Sequence, residues 1–530
     1  MEKALKMGKV SATGSFQLFI GRALSTVIMA VGAIIVGSFI LEGEYGLYTI
    51  ALIPATTMLL FQDWGVGTAL IKYCAHYRAV DKGKLRKIIV AGLTFEVVTA
   101  IALTLLSLLM ANFTASTIFG KPESVFLIAL ASLVILSTPL LGTTQSIFVG
   151  FERMDLNGFM LVCQAMTYLM CPLLVYLGYG ALGALLGYTF SIVATGIIAI
   201  IMLYFFIFRK LGPDKTSNSD LSQTLKQLLH YGVPVAVASI LGGILLQFYY
   251  FMMGSFCDLA MIGNYRIATN FAVLLTFFTI PISTVLFPTF SKLDANKELH
   301  ILKPVFTYSV KYTALLLVPA TMALMVLSQP IITTIYGSKW FYAPSFLTLY
   351  VIPNLFSLFG SLSMGSLLTG LGETRMLMKL NILTLCIGVP LAFALIPAFE
   401  IVGVILCIVV SGVPSIFVGI NWIWKSFRTK ADFRSSVKIF LASAIATMAT
   451  YVFLNVFDAI AWITLTVGVI LFLATYLLTA PLIGAINQTD INNLRSMFSG
   501  LGIVSKLLEI PLTLMEKPLQ THLNRTEKEN

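Results

Sequence analysis

The sequence predicts an all-α polytopic membrane protein. Of its 530 residues, 58% are hydrophobic and only 11% are charged, and the mean hydropathy is +0.93. Apolar runs of about 20 residues, each long enough as a helix to cross a hydrocarbon core of about 30 Å, recur between short polar connections. This composition excludes a soluble globular protein.

The apolar runs predict about fourteen transmembrane helices. They lie at residues 14–38, 44–66, 86–111, 124–148, 156–177, 181–208, 228–254, 260–288, 304–328, 342–369, 376–397, 401–424, 434–455 and 459–483.

Basic residues give the orientation of these helices. If the first helix enters from the cytoplasm, thirty of the 34 Lys and Arg residues fall on the inner side, as the positive-inside rule requires. Lys121 and Lys339 lie outside, and Arg22 and Arg266 lie within the membrane. Both termini are therefore predicted to be cytoplasmic. The net charge of +11 therefore reflects the orientation of the helices in the membrane and does not indicate nucleic-acid binding.

The connections leave no room for a catalytic domain. The longest are residues 67–85, residues 209–227 and the tail, all far shorter than a domain. The four histidines occur in no metalloprotease, hydrolase or phosphate-loop motif, and the acidic residues form no cluster of the kind that a glycosyltransferase needs. We therefore expect a transporter rather than an enzyme, with no catalytic residues, no metal, no resident cofactor and no nucleic-acid partner.

A weak internal repeat divides the chain into two halves. It rests on three matches at offsets of 217 to 220 positions: Tyr45–Ala51 with Ile262–Ala268, Phe119-Gly120 with Tyr336-Gly337, and Leu182–Ala184 with Val402–Val404. Because six helices separate the matches, the two halves have the same orientation in the membrane. Repeats of this kind are typical of transporters whose cavity opens to alternate sides.

The repeat predicts two pseudo-symmetric six-helix lobes around a central cavity, followed by two further helices. Its boundaries are an N-lobe at residues 1–208, a cytoplasmic linker at 209–227, a C-lobe at 228–428, helices thirteen and fourteen at 429–485, and a cytoplasmic amphipathic tail at 486–530.

Several motifs give the chain a family resemblance over almost its full length. They include Asp63-Trp64-Gly65-Val66-Gly67 after the second helix, Pro281–Pro288 ending the eighth, and Gly370-Leu371-Gly372-Glu373-Thr374-Arg375. With these landmarks in this order, the chain resembles the oligosaccharide flippases (Wzx-like polysaccharide exporters) of the multidrug, oligosaccharidyl-lipid and polysaccharide exporter superfamily.

The resemblance implies an activity. Such proteins move a polyprenyl-phosphate- or polyprenyl-pyrophosphate-linked oligosaccharide to the outer leaflet, here across the plasma membrane of a prokaryote, with membrane lipids as a further partner. A single chain already encloses a cavity, so we expect a functional monomer. The alternative is a cation-coupled multidrug exporter of the same superfamily, for which twelve helices and an acidic cavity would be more typical.

Arg22 and Arg266 are the predicted phosphate ligands. An arginine at membrane depth costs about 2.5 to 3.5 kcal/mol on insertion scales, and a guanidinium matches phosphate oxygens with its forked donors. In the related lipid II flippases, basic residues of the first and eighth helices bind substrate, and these two positions are similar in placement. The alternative is that each side chain snorkels to a nearby surface.

Other polar residues complete the predicted site. Gln17, Gln247 and Asn270 are predicted to bind sugar hydroxyls, although helix-to-helix hydrogen bonds would explain them equally well. Glu96 and Asp63 are predicted to couple transport to a proton or sodium gradient. The alternatives are pairing of Glu96 with a basic residue near the start of its helix, and a capping role for Asp63.

Overall fold

The computed structural model describes residues 2–78, 80–211, 221–293, 298–429, 432–457, 459–498 and 509–516. Within these ranges the regular structure is entirely helical and contains no strand, which confirms the predicted fold class. The first half consists of nine α-helices: α1 Glu2–Phe39, α2 Glu42–Leu60, α3 Val66–Tyr77, α4 Lys82–Phe113, α5 Val125–Gly150, α6 Met154–Tyr168, α7 Met170–Leu174, α8 Gly180–Phe206 and α9 Leu221–Phe256.

The second half continues with ten more. They are α10 Leu259–Ala272, α11 Thr276–Ser291, α12 Leu299–Val326, α13 Ser328–Tyr336, α14 Ala343–Tyr350, α15 Ser361–Gly370, α16 Thr374–Phe427, α17 Phe433–Val456, α18 Ala461–Leu482 and α19 Gln488–Phe498. Part of the predicted linker, residues 212–220, and parts of the predicted tail, residues 499–508 and 517–530, lie outside the described residues.

Nine helical segments of the described chain are long and apolar enough to cross a membrane, and a bent pair, 343–359 with 361–370, raises this number to ten. Two of the nine are double-length, at 57 and 54 residues. An unbroken helix of that length would measure about 80 Å, more than twice the bilayer core. Each is broken by non-helical backbone, at Gly178 and at Glu400, where the sequence predicts the boundary between two spans. The total of fourteen crossings stays a prediction.

The chain forms two compact units. The first comprises Met1–Arg266 with Ala392–Val404, and the second comprises Ile267–Leu391 with Ile405–Asn530. The predicted lobe boundaries stay a prediction.

Helices α1 and α6 of the first unit run in the same direction. A Cβ atom at Gly21 would lie 2.6 Å from the Cα of Gly158, and one at Gly32 would lie 2.9 Å from the ring of Tyr168. Residue numbers therefore rise together along both helices. This agrees with the predicted topology, in which these are the first and fifth spans.

The repeat is visible at the crossing of α2 and α10. A Cβ atom at Gly46 would lie 1.9 Å from the carbonyl oxygen of Leu259, and one at Gly263 would lie 2.2 Å from the carbonyl oxygen of Glu42. Both pairs, Gly46 with Gly263 and Glu42 with Leu259, are separated by the repeat offset of 217 positions. The contact is therefore reciprocal, and only glycine permits this backbone approach.

Helix α3 lies within a segment that the sequence predicts as a polar connection. Its Val66, Ala69, Leu70 and Cys74 are buried in a core that also contains residues of α4, α5, α6, α8 and α9. Their spacing of three and four residues is that of one helix face. The charged residues of this segment made it resemble a polar connection in the sequence.

Lys121, one of the two basic residues predicted to lie outside, has a structural role. Its Nζ donates to the carbonyl oxygens of Gly254, at 2.7 Å, and Cys257, at 3.1 Å. These carbonyls belong to the C-terminal end of α9, where cations are favourable. Partial burial lowers the pKa of Lys121. A capping contact thus gives Lys121 a structural reason to be at this position.

The described part of the tail packs within the second unit. Ile491 and Leu494 of α19 are buried with residues of α12, α17 and α18. Lys311 of α12 donates to Asp490 at 2.6 Å, and the two side chains are only 11% and 2% exposed. Asp490 also accepts from the backbone N–H of Asn487 at 2.9 Å. A buried ion pair therefore fixes the start of α19.

We expect Asp490→Ala to destabilise the protein by about 3 to 5 kcal/mol, because it leaves the Lys311 ammonium buried without its counter-charge. The measurement is thermal unfolding in detergent. The matched control is Asp155→Ala, which breaks an ion pair of similar length, 2.7 Å, whose side chains are 37% and 42% exposed, and which should cost about 0 to 1 kcal/mol. Equal destabilisation by both variants would contradict the structural role of the buried pair.

Candidate functional site

Arg266 lies in the first unit among tyrosines. It is on α10, its Nε atom is buried, and Tyr45, Tyr48, Tyr168 and Tyr188 are close enough to interact electrostatically with its guanidinium. Tyr250 of α9 interacts with it as well. We call these five residues the tyrosine shell.

Four helices contribute to the tyrosine shell. Tyr45 and Tyr48 are one turn apart on α2, are 2% and 3% exposed, and their rings stack at 5.8 Å. Tyr168 ends α6, and Tyr188 is on α8. A phenol can interact with a guanidinium in two ways, because its ring face attracts the cation and its hydroxyl oxygen accepts a hydrogen bond. The shell therefore provides polar surroundings for a charge inside an apolar unit.

A hydrogen bond between α2 and α10 holds the two helices in register. The Asn264 side-chain amide donates to the Glu42 carboxylate at 3.0 Å and to the carbonyl oxygen of Ala260 at 2.9 Å. Asn264 is fully buried and lies two residues before Arg266. The bond and the reciprocal glycine contact fix the position from which Arg266 reaches the shell.

Arg22 has different surroundings. Its side chain is exposed on α1, next to Gly21, which packs on α6. Gly32, against which Tyr168 of the shell packs, lies ten residues further along α1, or about 15 Å along the helix axis. The structure therefore places the two predicted phosphate ligands at different levels of the first unit.

The other predicted substrate-binding residues are dispersed. Gln17 is exposed on α1, one turn before Arg22, and Asn270 is half-buried on α10, one turn after Arg266. The side-chain oxygen of Gln247 on α9 accepts from Thr57 at 3.0 Å and Thr56 at 3.4 Å, which is a helix-to-helix contact with α2. Their substrate-binding roles stay predictions.

Glu96 is a buried acid in the middle of α4. It is 2% exposed, and its carboxylate accepts a hydrogen bond from the side-chain amide of Gln62. Within the described ranges, no cationic side chain lies within 4.0 Å of this carboxylate. The structure therefore does not contain the alternative arrangement, in which Glu96 forms an ion pair with a basic residue near the start of α4.

Asp63 lies beside this pair. It is exposed, it interacts electrostatically with Glu96, and its Oδ1 accepts from the backbone N–H of Gly67 at 3.3 Å. Gly67 belongs to the first turn of α3, so Asp63 contacts the start of this helix in the way of a capping residue. The structure thus brings both predicted coupling residues together.

The tyrosine shell is the feature that sequence reasoning missed. Tyr45 and Tyr48 occur in the repeated segment Tyr45–Ala51, and Arg266 occurs in its counterpart Ile262–Ala268. The repeat therefore held a signal that these two segments are structurally equivalent. Nothing in the repeat predicted that Tyr168 and Tyr188 would also lie near Arg266.

Comparisons with known proteins identify the family. The family model for "Polysaccharide biosynthesis protein" matches residues 11–294, more than half of the chain. The "Lipid II flippase MurJ" of Bacillus subtilis (strain 168) is 23% identical over 495 residues, which cover 82% of this chain and 87% of that protein.

Solved structures agree on the fold. A structure of "Lipid II flippase MurJ, inward closed conformation" superposes with a TM-score of 0.69 at 14% identity, covering 89% of this chain and 98% of that one. An inward-facing multidrug resistance MATE family transporter of the MOP superfamily gives a TM-score of 0.63 at 18% identity, covering 76% and 94%. These are transporters rather than enzymes, and their fold confirms the predicted class of multi-pass membrane protein. The chain therefore belongs to the polysaccharide biosynthesis protein family.

Proposed function

We propose that this protein flips a polyprenyl-phosphate- or polyprenyl-pyrophosphate-linked oligosaccharide from the cytoplasmic to the outer leaflet, for cell-surface polysaccharide or glycan biosynthesis. It works by alternating access, as a monomer in the plasma membrane of a prokaryote, with both termini in the cytoplasm. Family membership supports this proposal, as does the similarity to a protein named as a lipid II flippase.

The arginine inside the tyrosine shell is the observation that carries the proposal. A permanently charged group inside an apolar unit costs free energy. Guanidinium N–H groups beside phenolic O–H groups form a set of donors that matches phosphate oxygens. Arg22, whose side chain is exposed on α1, is the second proposed phosphate ligand.

A cation-coupled multidrug exporter is the second candidate, favoured by the structural similarity to the MATE transporter. The two candidates differ in the charge of the substrate. A lipid-linked phosphate is anionic and suits an arginine, whereas a cationic drug suits a carboxylate. Competition for transport by organic cations, without competition by polyprenyl pyrophosphate, would favour the exporter.

We propose that Glu96 couples transport to an ion gradient, either of protons or of sodium. Its carboxylate is buried, and the hydrogen-bond partner that the structure gives it, Gln62, is neutral. A carboxyl group in such a place binds a proton or a cation when it is isolated from water.

Flipping is tested first. Wild-type protein in proteoliposomes should translocate a fluorescent polyprenyl-linked oligosaccharide, measured by reaction with a reagent confined to the outer leaflet. Arg22→Gln and Arg266→Gln should each reduce the rate by about tenfold or more, because each removes charge-assisted hydrogen bonds of about 1.5 to 3 kcal/mol.

The matched control is Arg153→Gln, an exposed arginine that pairs with Asp155, and it should flip at the wild-type rate. Thermal unfolding of each variant separates lost folding from lost substrate binding, which matters most for the buried Arg266. Undiminished flipping by both folded variants would remove the arginines from the mechanism, and failure of the wild type would overturn the function.

Coupling is tested with Glu96→Gln, which keeps the hydrogen-bonding shape but removes ionisation. We expect the wild-type rate to rise when a proton gradient or a sodium gradient is imposed, and the variant to lose that response. Glu123→Gln, at an exposed position, is the control. If the variant responds to both gradients as the wild type does, Glu96 is not the coupling group.

A further inference from the structure

A cluster of tyrosines and lysines covers part of α3, outside the site described above. Tyr73 and Tyr77 are one turn apart on α3, with ring centroids 6.3 Å apart. Tyr231 of α9 meets Tyr73 edge to face at 6.1 Å. We call these three residues, with Lys72 of α3 and Lys84 of α4, the α3 cluster.

The two lysines of the α3 cluster lie over its rings. The Nζ atom of Lys72 is 3.9 Å from the ring centroid of Tyr231 and 5.6 Å from that of Tyr73. The Nζ atom of Lys84 is 4.6 Å from the ring centroid of Tyr77. Lys84 also forms a hydrogen bond with the Tyr77 hydroxyl, which lowers the pKa of that phenol.

These ammonium groups retain their charge towards an external anion. A ring face attracts a cation but carries no net charge to cancel it. In the described part of the chain, no carboxylate lies within 4.0 Å of Lys72 or Lys84. The nearby Asp81 accepts the backbone N–H of Lys84 at 2.9 Å as the cap of α4.

The position of α3 points to the membrane surface. Its apolar face is buried in the first unit, while Lys72 and His76 are exposed. It joins the end of α2 to the start of α4, a membrane-spanning helix whose first turns carry further basic residues. Tyrosines and lysines at such a boundary contact lipid headgroups.

We propose that the α3 cluster is the docking site for the pyrophosphate of the polyprenyl substrate in the inner leaflet. This inference rests on the proposed function, and it adds a contact made before the substrate reaches the arginines. Two ammonium groups with adjacent phenol hydroxyls suit a headgroup of more than one negative charge better than the single charge of a phosphodiester. Rigid ring contacts hold both lysines in place, so less side-chain entropy is lost on binding.

Binding is the first test. Protein in nanodiscs of neutral lipid is titrated with sugar-free polyprenyl pyrophosphate, and bound lipid is counted by native mass spectrometry. The double variant Lys72→Gln/Lys84→Gln should bind about tenfold more weakly or worse, and Lys72→Arg/Lys84→Arg should bind within about threefold of the wild type. Equal affinity of the wild type and the glutamine variant overturns the proposal.

The matched control is Lys339→Gln, which removes a lysine stacked on an aromatic ring elsewhere, 5.4 Å from the ring centroid of Trp340, and it should bind like the wild type. A second variant, Tyr231→Leu, keeps both charges but removes the ring that holds Lys72. It should weaken binding by about threefold or more. Thermal unfolding identifies any variant that fails to fold.

Two further probes separate the sources of phosphate. Phosphatidylglycerol and inorganic pyrophosphate are titrated in the same nanodiscs. Polyprenyl pyrophosphate displacing phosphatidylglycerol supports the proposal, whereas equal binding of the two lipids makes the cluster a general anionic-lipid site and overturns it. Binding of inorganic pyrophosphate alone, with no preference for the lipid form, overturns it as well.

Flipping kinetics distinguish this inference from the proposed function. In proteoliposomes the glutamine double variant should need about tenfold more substrate to reach half of the maximal rate, with the maximal rate itself unchanged. A fall in the maximal rate alone would contradict docking. If the wild type binds polyprenyl pyrophosphate at the α3 cluster but flips nothing, the proposed function fails while the docking site stands.

Discussion

The charge of Arg266 has to be accommodated inside an apolar unit, and much of the first unit is arranged around it. A guanidinium removed from water loses hydration that only directed polar contacts can replace. Tyrosines from α2, α6, α8 and α9 meet it, so four helices besides its own converge on one side chain. That convergence depends on the crossing of α2 and α10, where Gly46 and Gly263 let the backbones approach closely. Any larger residue there would push Arg266 away from Tyr45 and Tyr48.

Buried charges in this protein are compensated in different ways, and the difference indicates their roles. Lys311 and Asp490 neutralise each other in a short ion pair, a pairing that fixes α19 and leaves no net charge for a ligand. Glu96 instead faces the neutral amide of Gln62. A neutral partner lets a carboxyl group gain or lose a proton without leaving a second charge exposed. The ion pair suits a structural role, and the neutral partner of Glu96 suits a group that changes its protonation state.

The sequence predicted the helices well because membrane spans depend on length and hydropathy, which are local properties. The breaks at Gly178 and Glu400 also fell where apolar runs met. Helix α3 was missed because Lys72 and His76, exposed on its other side, stand between the apolar residues in the sequence and break up the apolar run. The docking of α19 was missed for a different reason: a pattern of leucine and isoleucine on one helix face fits a lipid surface and a protein surface equally well.

The site could be predicted only in part, because tertiary contacts decide it. Isolated charges such as Arg266 and Glu96 are conspicuous in an apolar run, so the sequence identified them. The tyrosines of the shell are ordinary residues in such runs, and only the packing of helices far apart in sequence brings Tyr168 and Tyr188 to one arginine. Gln247 shows the opposite case, since a polar residue predicted to bind substrate forms a hydrogen bond with α2.

One short segment, from Gln62 to Gly67, connects the buried acid with α3. Gln62 donates to Glu96, and Asp63 contacts the first turn of α3. Gly65 has a left-handed φ of 76°, and a Cβ atom there would lie 2.1 Å from the carbonyl oxygen of Gly232. The segment is therefore held against α9 by a backbone contact that no other residue would permit. Its first residues thus hydrogen-bond the buried acid and contact the start of α3, while its middle packs on the backbone of α9. Six residues therefore determine the surroundings of Glu96 and the start of α3 together.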